Sequence, residues 1–530
     1  MKKNKPILLL LVLAMLFGLC SCGETQQEEQ PDTPSDNPVQ QTEHSSLTLP
    51  IAHNDTLDPF KAESEINRSL IPLLYDSLVY IDENFQPVEL IAQSYSVNDK
   101  TLTVQLNSVS FTDGSAVTAS DVVYSYEQAK KSDYYSARLS NFSSAEAAGS
   151  SVNFALKSAD IFAAACLDFP IVKKGTVQTM YESTKLYDIV PPTGTGRYSL
   201  RGTLPNATLV ANPANLRGQT MNIPVISLFE VTNADGMAYG LQIGNYDIWC
   251  NSLASGAYSR VNANQSIVPT NNLVYLAFNS DKSIFQQAEV RRAVSLLLSR
   301  EEIAATGFQG HATPTSLPFH PNWYATQNIA VNTSVKSQQD QALQLLESAG
   351  YNKINTYGYR CSNTKSLNCT LTVCKGNSFK SAAAELIKKQ LAALNFNVKI
   401  IELDYESYVK AIEAGEFDMY LGEIKLTANM NLNAFFSTSG KANSVIVTVI
   451  DADSSEINIT CDAYKKLCSG ECSVSDFCML FDSEAPFIPI CFRTAAMFWS
   501  RDFKSEINPT CYDIFYDINN WKIKPQSEEK

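Results

Sequence analysis

An α/β fold built on a mainly parallel sheet is the class that this sequence predicts, and three observations support it. Strand patterns and helix patterns alternate between residues 371 and 425. Residue types that begin and end helices stand at the junctions of these patterns. The chain has 530 residues, of which 45% are hydrophobic and 18% are charged, so it can bury the cores of about two or three globular units.

Five segments form the alternating series. In chain order they are a strand in LTVCKG (Leu371–Gly376), a helix from an N-cap at Ser378 to about Asn395, a strand in NVKIIEL (Asn397–Leu403), a helix over Tyr405–Ala414 that ends at Gly415, and a strand in FDMYLGEIK (Phe417–Lys425). Such strands pair in parallel through right-handed crossovers, and ligands bind outside their carboxyl ends. The polar runs KGN (Lys375–Asn377) and TANMN (Thr427–Asn431) should therefore line a crevice.

Three further helices have local signals. Thr118, with Asp121 three residues later, has the form of a capping box. The segment DQALQLLESAGY ends at Gly350, a residue type that favours the end of a helix. A helix that follows Gln286 has one apolar stripe, formed by Val290, Ala293, Val294 and Leu297. Folding alone explains these three patterns.

The first residues have the layout of a secretory signal: a basic start, an apolar run over Ile7–Leu19, then small residues and cysteine. The motif LCSC (Leu19–Cys22) resembles the bacterial lipoprotein box, which implies removal of residues 1–21 and lipidation of Cys22. Residues 22–46 are polar and contain several prolines, which predicts a disordered tether with a reach of about 25–30 Å. The expected location is the extracytoplasmic face of the cell membrane, with a plain secreted protein as the alternative.

The charge balance bears on the choice of partner. The formal net charge is −14 at pH 7. A chain of this sign repels phosphate backbones, so nucleic acid is not an expected partner.

Cysteine usage is high but has no metal-site spacing. Beyond Cys20 and Cys22 there are eleven cysteines, four of which are close in sequence: Cys461, Cys468, Cys472 and Cys478. They form no CxxC pair, and none has a neighbouring histidine, so we predict neither a structural metal nor a cofactor. Disulfides remain possible, and their connectivity cannot be read from the spacing.

Enzyme motifs are absent from the sequence. There is no HExxH, no G-x-S-x-G and no phosphate-binding loop. The motif SNTK (Ser362–Lys365) formally fits S-x-x-K, but it lies in a predicted loop rather than at the start of a helix. We therefore do not expect an enzyme.

Six segments, taken together, resemble landmarks of a known family. They occur in the order FTDGSAVTASDVVYS (Phe111–Ser125), PTGTGRY (Pro192–Tyr198), VYLAFN (Val274–Asn279), EVRRAVSLLLSREEI (Glu289–Ile303), ALQLLESAGY (Ala342–Tyr351) and EAPFIPI (Glu484–Ile490). They look like those of the family 5 extracellular solute-binding proteins, the oligopeptide-, dipeptide- and nickel-type receptors of ABC importers. Six segments in the family's order are far more specific than any one of them.

The resemblance implies two α/β lobes around a hinge, with an extra domain inserted in the first lobe, as in periplasmic binding proteins. Carried over, the first lobe would comprise residues 47–84, 188–272 and 491–524. The inserted domain would comprise residues 85–187, and the second lobe residues 273–490. The hinge would be crossed at Asn272 and near Cys491. The implied partners are a small polar solute and ABC permease subunits, and the receptor would be a monomer.

One segment departs from the family's peptide-binding members. Their matching strand usually ends in glycine and tryptophan, followed by an aspartate-rich run whose carboxylate takes the peptide's α-ammonium. Here Gly422 precedes Glu423, and TANMNLN offers amides but no carboxylate. Either Glu423 replaces the anchor, or the ligand is not an ordinary peptide. A mutual ion pair of Glu423 with Lys425 is the structural alternative.

The expected ligand is a short peptide or peptide-like molecule. Strand alternation places Glu423 and Lys425 on one face, and Ile424 and Leu426 on the other. The predicted ligand-binding residues are Asn54, Thr56, Glu423, Lys425, Asn429, Asn431 and Arg493. No histidine lies in these segments, which disfavours a bare metal ion. A surface sensor or adhesin without transport, and a receptor for a non-peptide solute such as a metal complex, remain alternative functions.

Overall fold

The structure is a computed structural model. It describes residues 47–178, 189–204, 206–218, 220–232, 236–256, 258, 260–280, 283–330, 338–436 and 459–523. Cys22 and the predicted tether lie outside these residues. Within them, no helix has both the length and the apolar character that a bilayer-spanning helix requires.

Strands and helices alternate irregularly along the chain. The strands are β1 (Leu47–Ala52), β2 (Val79–Ile81), β3 (Pro87–Glu89), β4 (Ala92–Asn98), β5 (Thr101–Leu106), β6 (Phe142–Ala148), β7 (Ser151–Leu156), β8 (Tyr198–Arg201), β9 (Thr208–Ala211), β10 (Val225–Val231), β11 (Ile248–Asn251), β12 (Asn264–Phe278), β13 (Ala312–Pro314), β14 (Lys353–Ile354), β15 (Arg360–Cys361), β16 (Asn368–Cys374), β17 (Asn397–Leu403), β18 (Met419–Lys425) and β19 (Phe487–Trp499). The helices are α1 (Glu65–Leu74), α2 (Ala119–Ala129), α3 (Met237–Gln242), α4 (Ala288–Leu297), α5 (Arg300–Glu302), α6 (Gln339–Ser348), α7 (Ser378–Leu391), α8 (Tyr405–Glu413), α9 (Asn433–Phe436), α10 (Ile459–Ser469) and α11 (Val474–Glu484).

The largest sheet is mixed, so the prediction of a mainly parallel sheet is wrong. Its order is β11-β19-β12-β18-β16-β17, with β13 on β19. Within this sheet the parallel pairs are β16 with β17 and β16 with β18. These three strands are the ones joined by α7 and α8, as the crossover prediction requires. The remaining pairs are antiparallel, because β12 and β19 run against each other and against their outer neighbours. Periodicity reveals the type of an element but not its neighbours.

Two four-stranded sheets lie in the first half of the chain. One has the order β1-β10-β9-β8, and the other, antiparallel throughout, has the order β4-β5-β7-β6. The second sheet and α2 fall within residues 85–187, but the boundaries of the inserted domain stay a prediction. The capping box at α2 is confirmed, since the Asp121 carboxylate accepts from the Thr118 backbone N–H at 2.8 Å.

The helix boundaries agree with the sequence patterns except at α7. Its N-cap is Asn377, whose side chain accepts from the Lys380 backbone N–H at 3.1 Å, and not Ser378. The Ser378 hydroxyl instead donates to the Gly256 carbonyl at 2.6 Å. The α7 helix ends at Leu391, short of the predicted end, and a 3₁₀ turn follows it. Adjacent residues such as Asn377 and Ser378 can each cap a helix. Here the hydroxyl of Ser378 contacts the loop that follows β11, and Asn377 serves as the N-cap.

Among the described residues, β12 and β19 are the longest strands, with 15 and 13 residues, and every residue of β19 is buried. Between Leu273 and Phe278, alternate side chains of β12 enter two different hydrophobic clusters. A strand that is buried on both faces has lost the polar alternation of a surface strand. The pair therefore joins the two clusters into one framework.

Candidate functional site

A crevice of about 210 Å³ opens beside the end of β18. It is lined by β1, one face of α1, β11, the middle of β12 and the segment after β19. Its polar and aromatic side chains include Glu65, Arg68, Tyr134, Trp249, Lys425 and Tyr512. The strand end that was expected to line a crevice therefore does so, through Lys425.

The helix α1 supplies the charged groups on one wall. Ser64 caps it, accepting from the Asn67 backbone N–H at 3.1 Å. The buried side chain of Leu74 lies on the opposite face of α1 and packs in the hydrophobic core. Glu65 and Arg68 are three residues apart and so project from neighbouring positions of one helix face, towards the crevice.

Three cations surround the ring of Tyr134. The guanidinium carbon of Arg138 lies 4.9 Å from the ring centroid, that of Arg68 lies 5.1 Å away, and Lys425 Nζ lies 5.4 Å away. Arg138 forms an ion pair with the buried Asp168. Within the described part of the chain, Arg68 and Lys425 form no ion pair. Two positive charges without carboxylate partners thus face the crevice.

Glu423 lies two residues from Lys425 but interacts with a different group of side chains. Its carboxylate lies 2.8 Å from Lys380 Nζ and 3.1 Å from an Arg493 guanidinium nitrogen, and it accepts from the Asn272 side-chain amide at 3.0 Å. Burial acts to raise the pKa of Glu423, but the charges of Lys380 and Arg493 outweigh it and hold that pKa below its usual value. The alternative of a mutual Glu423–Lys425 ion pair is wrong, because both cations bonded to Glu423 come from elsewhere.

Arg493 is buried, with 4% of its surface exposed. Besides Glu423, it donates to the carbonyls of Ser252 and Leu253, which follow β11. The residue therefore joins β18, β19 and the end of β11.

The structure places the other predicted residues in three environments. Asn54 is exposed, with a left-handed φ of 60°, and Thr56 is fully buried, its hydroxyl accepting from the Asp58 N–H at 3.0 Å. Neither lines the crevice. Asn429 and Asn431 line a neighbouring cavity of about 170 Å³, which shares Lys425 with the crevice. The TANMN run therefore lines a cavity next to the crevice, whereas Asn54 and Thr56, in the loop after β1, line neither space.

Asn429 is tied to a carboxylate. Its side-chain amide donates to Asp160 at 2.8 Å, and its oxygen accepts from the Thr427 hydroxyl at 2.6 Å. Asp160 also accepts from the Phe162 N–H at 2.9 Å. Burial raises the pKa of Asp160 to about 6, because neither donor carries a full charge.

The sequence analysis missed Glu65, Arg68, Tyr134 and Tyr512. These residues reach one crevice from three distant parts of the chain. One signal was available in ESEINRSLIPLL, where Glu65, Arg68 and Ser69 share a face of a helix whose other residues, apart from Asn67, are apolar. Nothing in the sequence near Tyr134 or Tyr512 indicates that they meet.

Metal and nucleophile chemistry have little support in this crevice. Among the described residues, no group of three or more His, Cys, Asp or Glu side chains could hold a metal ion. Cys250 lines the crevice, but burial, followed by the charge of Glu65, raises the pKa of its thiol to about 12. A thiol with that pKa is a poor nucleophile at neutral pH.

The comparison with protein families agrees with the predicted resemblance. The model for the bacterial extracellular solute-binding proteins, family 5 Middle, matches residues 86–444. The oligopeptide-binding protein AppA of Bacillus subtilis (strain 168) is 23% identical over 444 residues, which covers 79% of this chain and 80% of AppA.

Solved structures share the fold. The unliganded open form of MppA, a periplasmic murein tripeptide binding protein, superposes with a TM-score of 0.68 at 17% identity and covers 90% of this chain and 97% of that one. NikA from Brucella suis, in complex with Fe(III)-EDTA, superposes with a TM-score of 0.65 at 16% identity, covering 90% and 100% of the two chains. These likenesses confirm the predicted fold class of two α/β lobes of the periplasmic-binding-protein type.

Proposed function

The chain belongs to the bacterial extracellular solute-binding proteins, family 5, and on that premise we propose that it is a membrane-anchored receptor that captures a peptide or peptide-like solute and delivers it to an ABC importer. AppA is named as an oligopeptide-binding protein and MppA as a murein tripeptide binding protein, and both names support a peptide as the ligand. The family is one of solute-binding proteins rather than enzymes.

The observation that carries the ligand class is the charge arrangement of the crevice. Arg68 and Lys425 lie around Tyr134, while Glu65 lines the same space. A zwitterion has a carboxylate and an ammonium. The carboxylate can form charge-assisted hydrogen bonds with the cations, and the ammonium can form them with the carboxylate of Glu65. We assign the carboxylate of the ligand to Arg68 and Lys425, and its ammonium to Glu65.

Glu423 is not the ammonium acceptor in this proposal. Its carboxylate already has two cations and an amide as partners, so a third cation would compete with Lys380 and Arg493. Glu423 and Arg493 instead hold the end of β18 in place, which positions Lys425. Asn431, on the wall of the adjoining cavity, contributes uncharged hydrogen bonds to a longer ligand.

Calorimetry with trialanine tests the assignment. We expect acetylation of its amino terminus and amidation of its carboxyl terminus each to weaken binding by about tenfold, since each removes one charge-assisted hydrogen-bond set. The variant Glu65→Gln should lose the discrimination against the acetylated peptide. A matched control is Glu406→Gln, which alters an exposed carboxylate on α8. Equal binding of free and blocked peptides by the parent protein would refute the zwitterion assignment.

The similarity to NikA favours a second candidate, an anionic metal chelate. NikA was solved with Fe(III)-EDTA, and two cations without carboxylate partners suit the carboxylates of such a complex. Adding Fe(III)-EDTA to the same calorimetric series separates the candidates. Heat of binding with the chelate, and none with trialanine, would select the chelate.

Anchoring is a separate part of the proposal and rests on LCSC and the polar segment after it. The variant Cys22→Ser should leave the protein folded but release it from membranes into the soluble fraction. Fractionation after a carbonate wash measures this, with Cys361→Ser as the thiol control. Retention of Cys22→Ser in the membrane fraction would contradict lipid anchoring.

A further inference from the structure

The charged side chains that line the crevice do not balance. They are two cations, Arg68 and Lys425, and one carboxylate, Glu65. Glu65 and Lys425 are exposed and Arg68 is partly exposed, and none of the three forms an ion pair with a described residue. A guest with one ammonium and one carboxylate therefore leaves one positive charge of the crevice without a counter-charge.

The two cations lie close enough to meet one guest. The guanidinium carbon of Arg68 lies 5.1 Å from the ring centroid of Tyr134, and Lys425 Nζ lies 5.4 Å from the same centroid. A second observation places the charge of Lys425 beside the crevice. Burial raises the pKa of the Cys511 thiol, which lines the crevice, to about 11, and the charge of Lys425 opposes that rise. A ligand at the Tyr134 ring is therefore within reach of both cations.

Lys425 also lines the adjoining cavity of about 170 Å³. The two other charged residues of that lining already have partners. Arg138 forms an ion pair with Asp168, and Asp160 accepts from the Asn429 side-chain amide at 2.8 Å. Lys425 is therefore the charge of this lining that remains open to a ligand.

Two uncharged donors share the lining of this cavity with Lys425. The side-chain oxygen of Asn431 accepts from the Asn433 backbone N–H at 2.7 Å, which leaves the NH₂ group of the Asn431 amide as a donor. In the described part of the chain, the NH₂ groups of Asn431 and Asn433 have no hydrogen-bond partner. A carboxylate only accepts hydrogen bonds, so it is the ligand group that suits an ammonium and two amide NH₂ groups.

We propose that the crevice selects peptides with a second carboxylate, so that the preferred ligand has one ammonium and two carboxylates. The inference rests on the proposed function, in which the ammonium faces Glu65 and a single terminal carboxylate is shared by Arg68 and Lys425. In an acidic peptide the terminal carboxylate stays with Arg68. The carboxylate of an aspartate or glutamate side chain then faces Lys425, where the crevice and the adjoining cavity meet. A lysine side chain at the same place would meet a like charge.

The test is a calorimetric matrix of tripeptides on the full chain. Trialanine is the reference, and each position is replaced in turn by glutamate, glutamine or lysine. At one position, glutamate should bind at least about tenfold more tightly than glutamine, which has nearly the same shape but no charge, and lysine should bind more weakly than glutamine. Equal affinities for glutamate and glutamine at every position would overturn the second carboxylate and leave the peptide receptor intact. No binding by any of the peptides would overturn both.

The variant Lys425→Met tests which residue reads the second carboxylate, since it keeps an apolar stem and removes the charge. We expect the preference for glutamate over glutamine to fall to about twofold or less. Lys410→Met, on the exposed face of α8, is the matched control and should keep the full preference. A preference that survives in a folded Lys425→Met protein would overturn the assignment.

Salt gives a second measurement that needs no variant. Raising sodium chloride from about 0.05 M to about 0.5 M should reduce the preference of the parent protein for glutamate, because screening weakens the attraction between opposite charges. A preference that does not change with salt would show that shape rather than charge selects the side chain, and would overturn the inference.

Discussion

Two charged groups at the end of β18, Glu423 and Lys425, stand two residues apart and have opposite surroundings. The Glu423 side chain is 13% exposed and has two cationic partners and an amide. Lys425 is exposed, forms no ion pair with the described residues, and its Nζ lies 5.4 Å from the ring centroid of Tyr134. The difference teaches that the position of a charge on a strand does not reveal its role. A charge that is already neutralised by the protein stabilises the fold, whereas one that is not remains available for a solute.

The largest expected effect is on stability, from Glu423→Gln. The change leaves Lys380 and Arg493 close together without a carboxylate, so the free energy of unfolding should fall by about 3 kcal/mol. Lys425→Met, on the same strand, should change it by less than about 0.5 kcal/mol. Urea denaturation of both variants measures the contrast. Equal stabilities of the two variants would show that Glu423 contributes no more to the stability of the fold than Lys425 does.

The pH dependence of the same variant gives an independent check. The pKa of Glu423 lies below its usual value in the folded state, so its stabilising effect is present above the unfolded pKa, near 4.3 for glutamate, and is lost as the pH falls through the folded pKa. The stability difference between the parent and Glu423→Gln should therefore be constant near neutral pH and shrink below about pH 4. Denaturation at intervals of pH measures it.

Asp160 sharpens the comparison, because this buried carboxylate has hydrogen-bond donors but no cationic partner among the residues that the structure describes. Its pKa is raised to about 6, so the folded state holds the proton more tightly than the unfolded state. Stability should fall as the pH rises from about 4 to about 6 and stay level above that. Asp160→Asn should match the parent near pH 4 and exceed it by on the order of 2 kcal/mol at pH 7. The opposite slope, with the parent more stable at pH 7, would show that a cation reaches Asp160 after all.

The smallest expected effect is on affinity alone. Arg68→Met and Lys425→Met should each weaken the binding of trialanine by about tenfold, or about 1.4 kcal/mol, and leave the binding of its amidated form unchanged. Calorimetry on both peptides measures the difference. Lys410→Met, on the exposed face of α8, is the control. Loss of binding for both peptides would indicate a general disturbance of the crevice.

The sequence predicted local structure better than arrangement. The elements from β16 to β18 and the capping box at Thr118 follow from periodicity and residue type within about a dozen neighbouring positions. The antiparallel placement of β12 and β19 could not be predicted, since it depends on contacts between distant segments. The same reason explains the site: Lys425 was predicted from its own strand, but Arg68 and Tyr134 reach it only through the tertiary fold. For Glu423 the sequence left open a ligand anchor or a structural ion pair, because its contacts with Lys380 and Arg493 depend on segments that are distant in the chain.

The position of β19 in the chain has a consequence for how the protein acquires its structure. This strand is wholly buried between β11 and β12, yet it begins at Phe487, more than 200 residues after its partner β12 starts at Asn264. Pairings across such separations form slowly, because the entropy of closing the loop opposes them before any contact is made. The central sheet therefore cannot close until nearly the whole chain has been synthesised. Until then the strand β12 exposes two apolar faces, and the nascent chain is in its most aggregation-prone state.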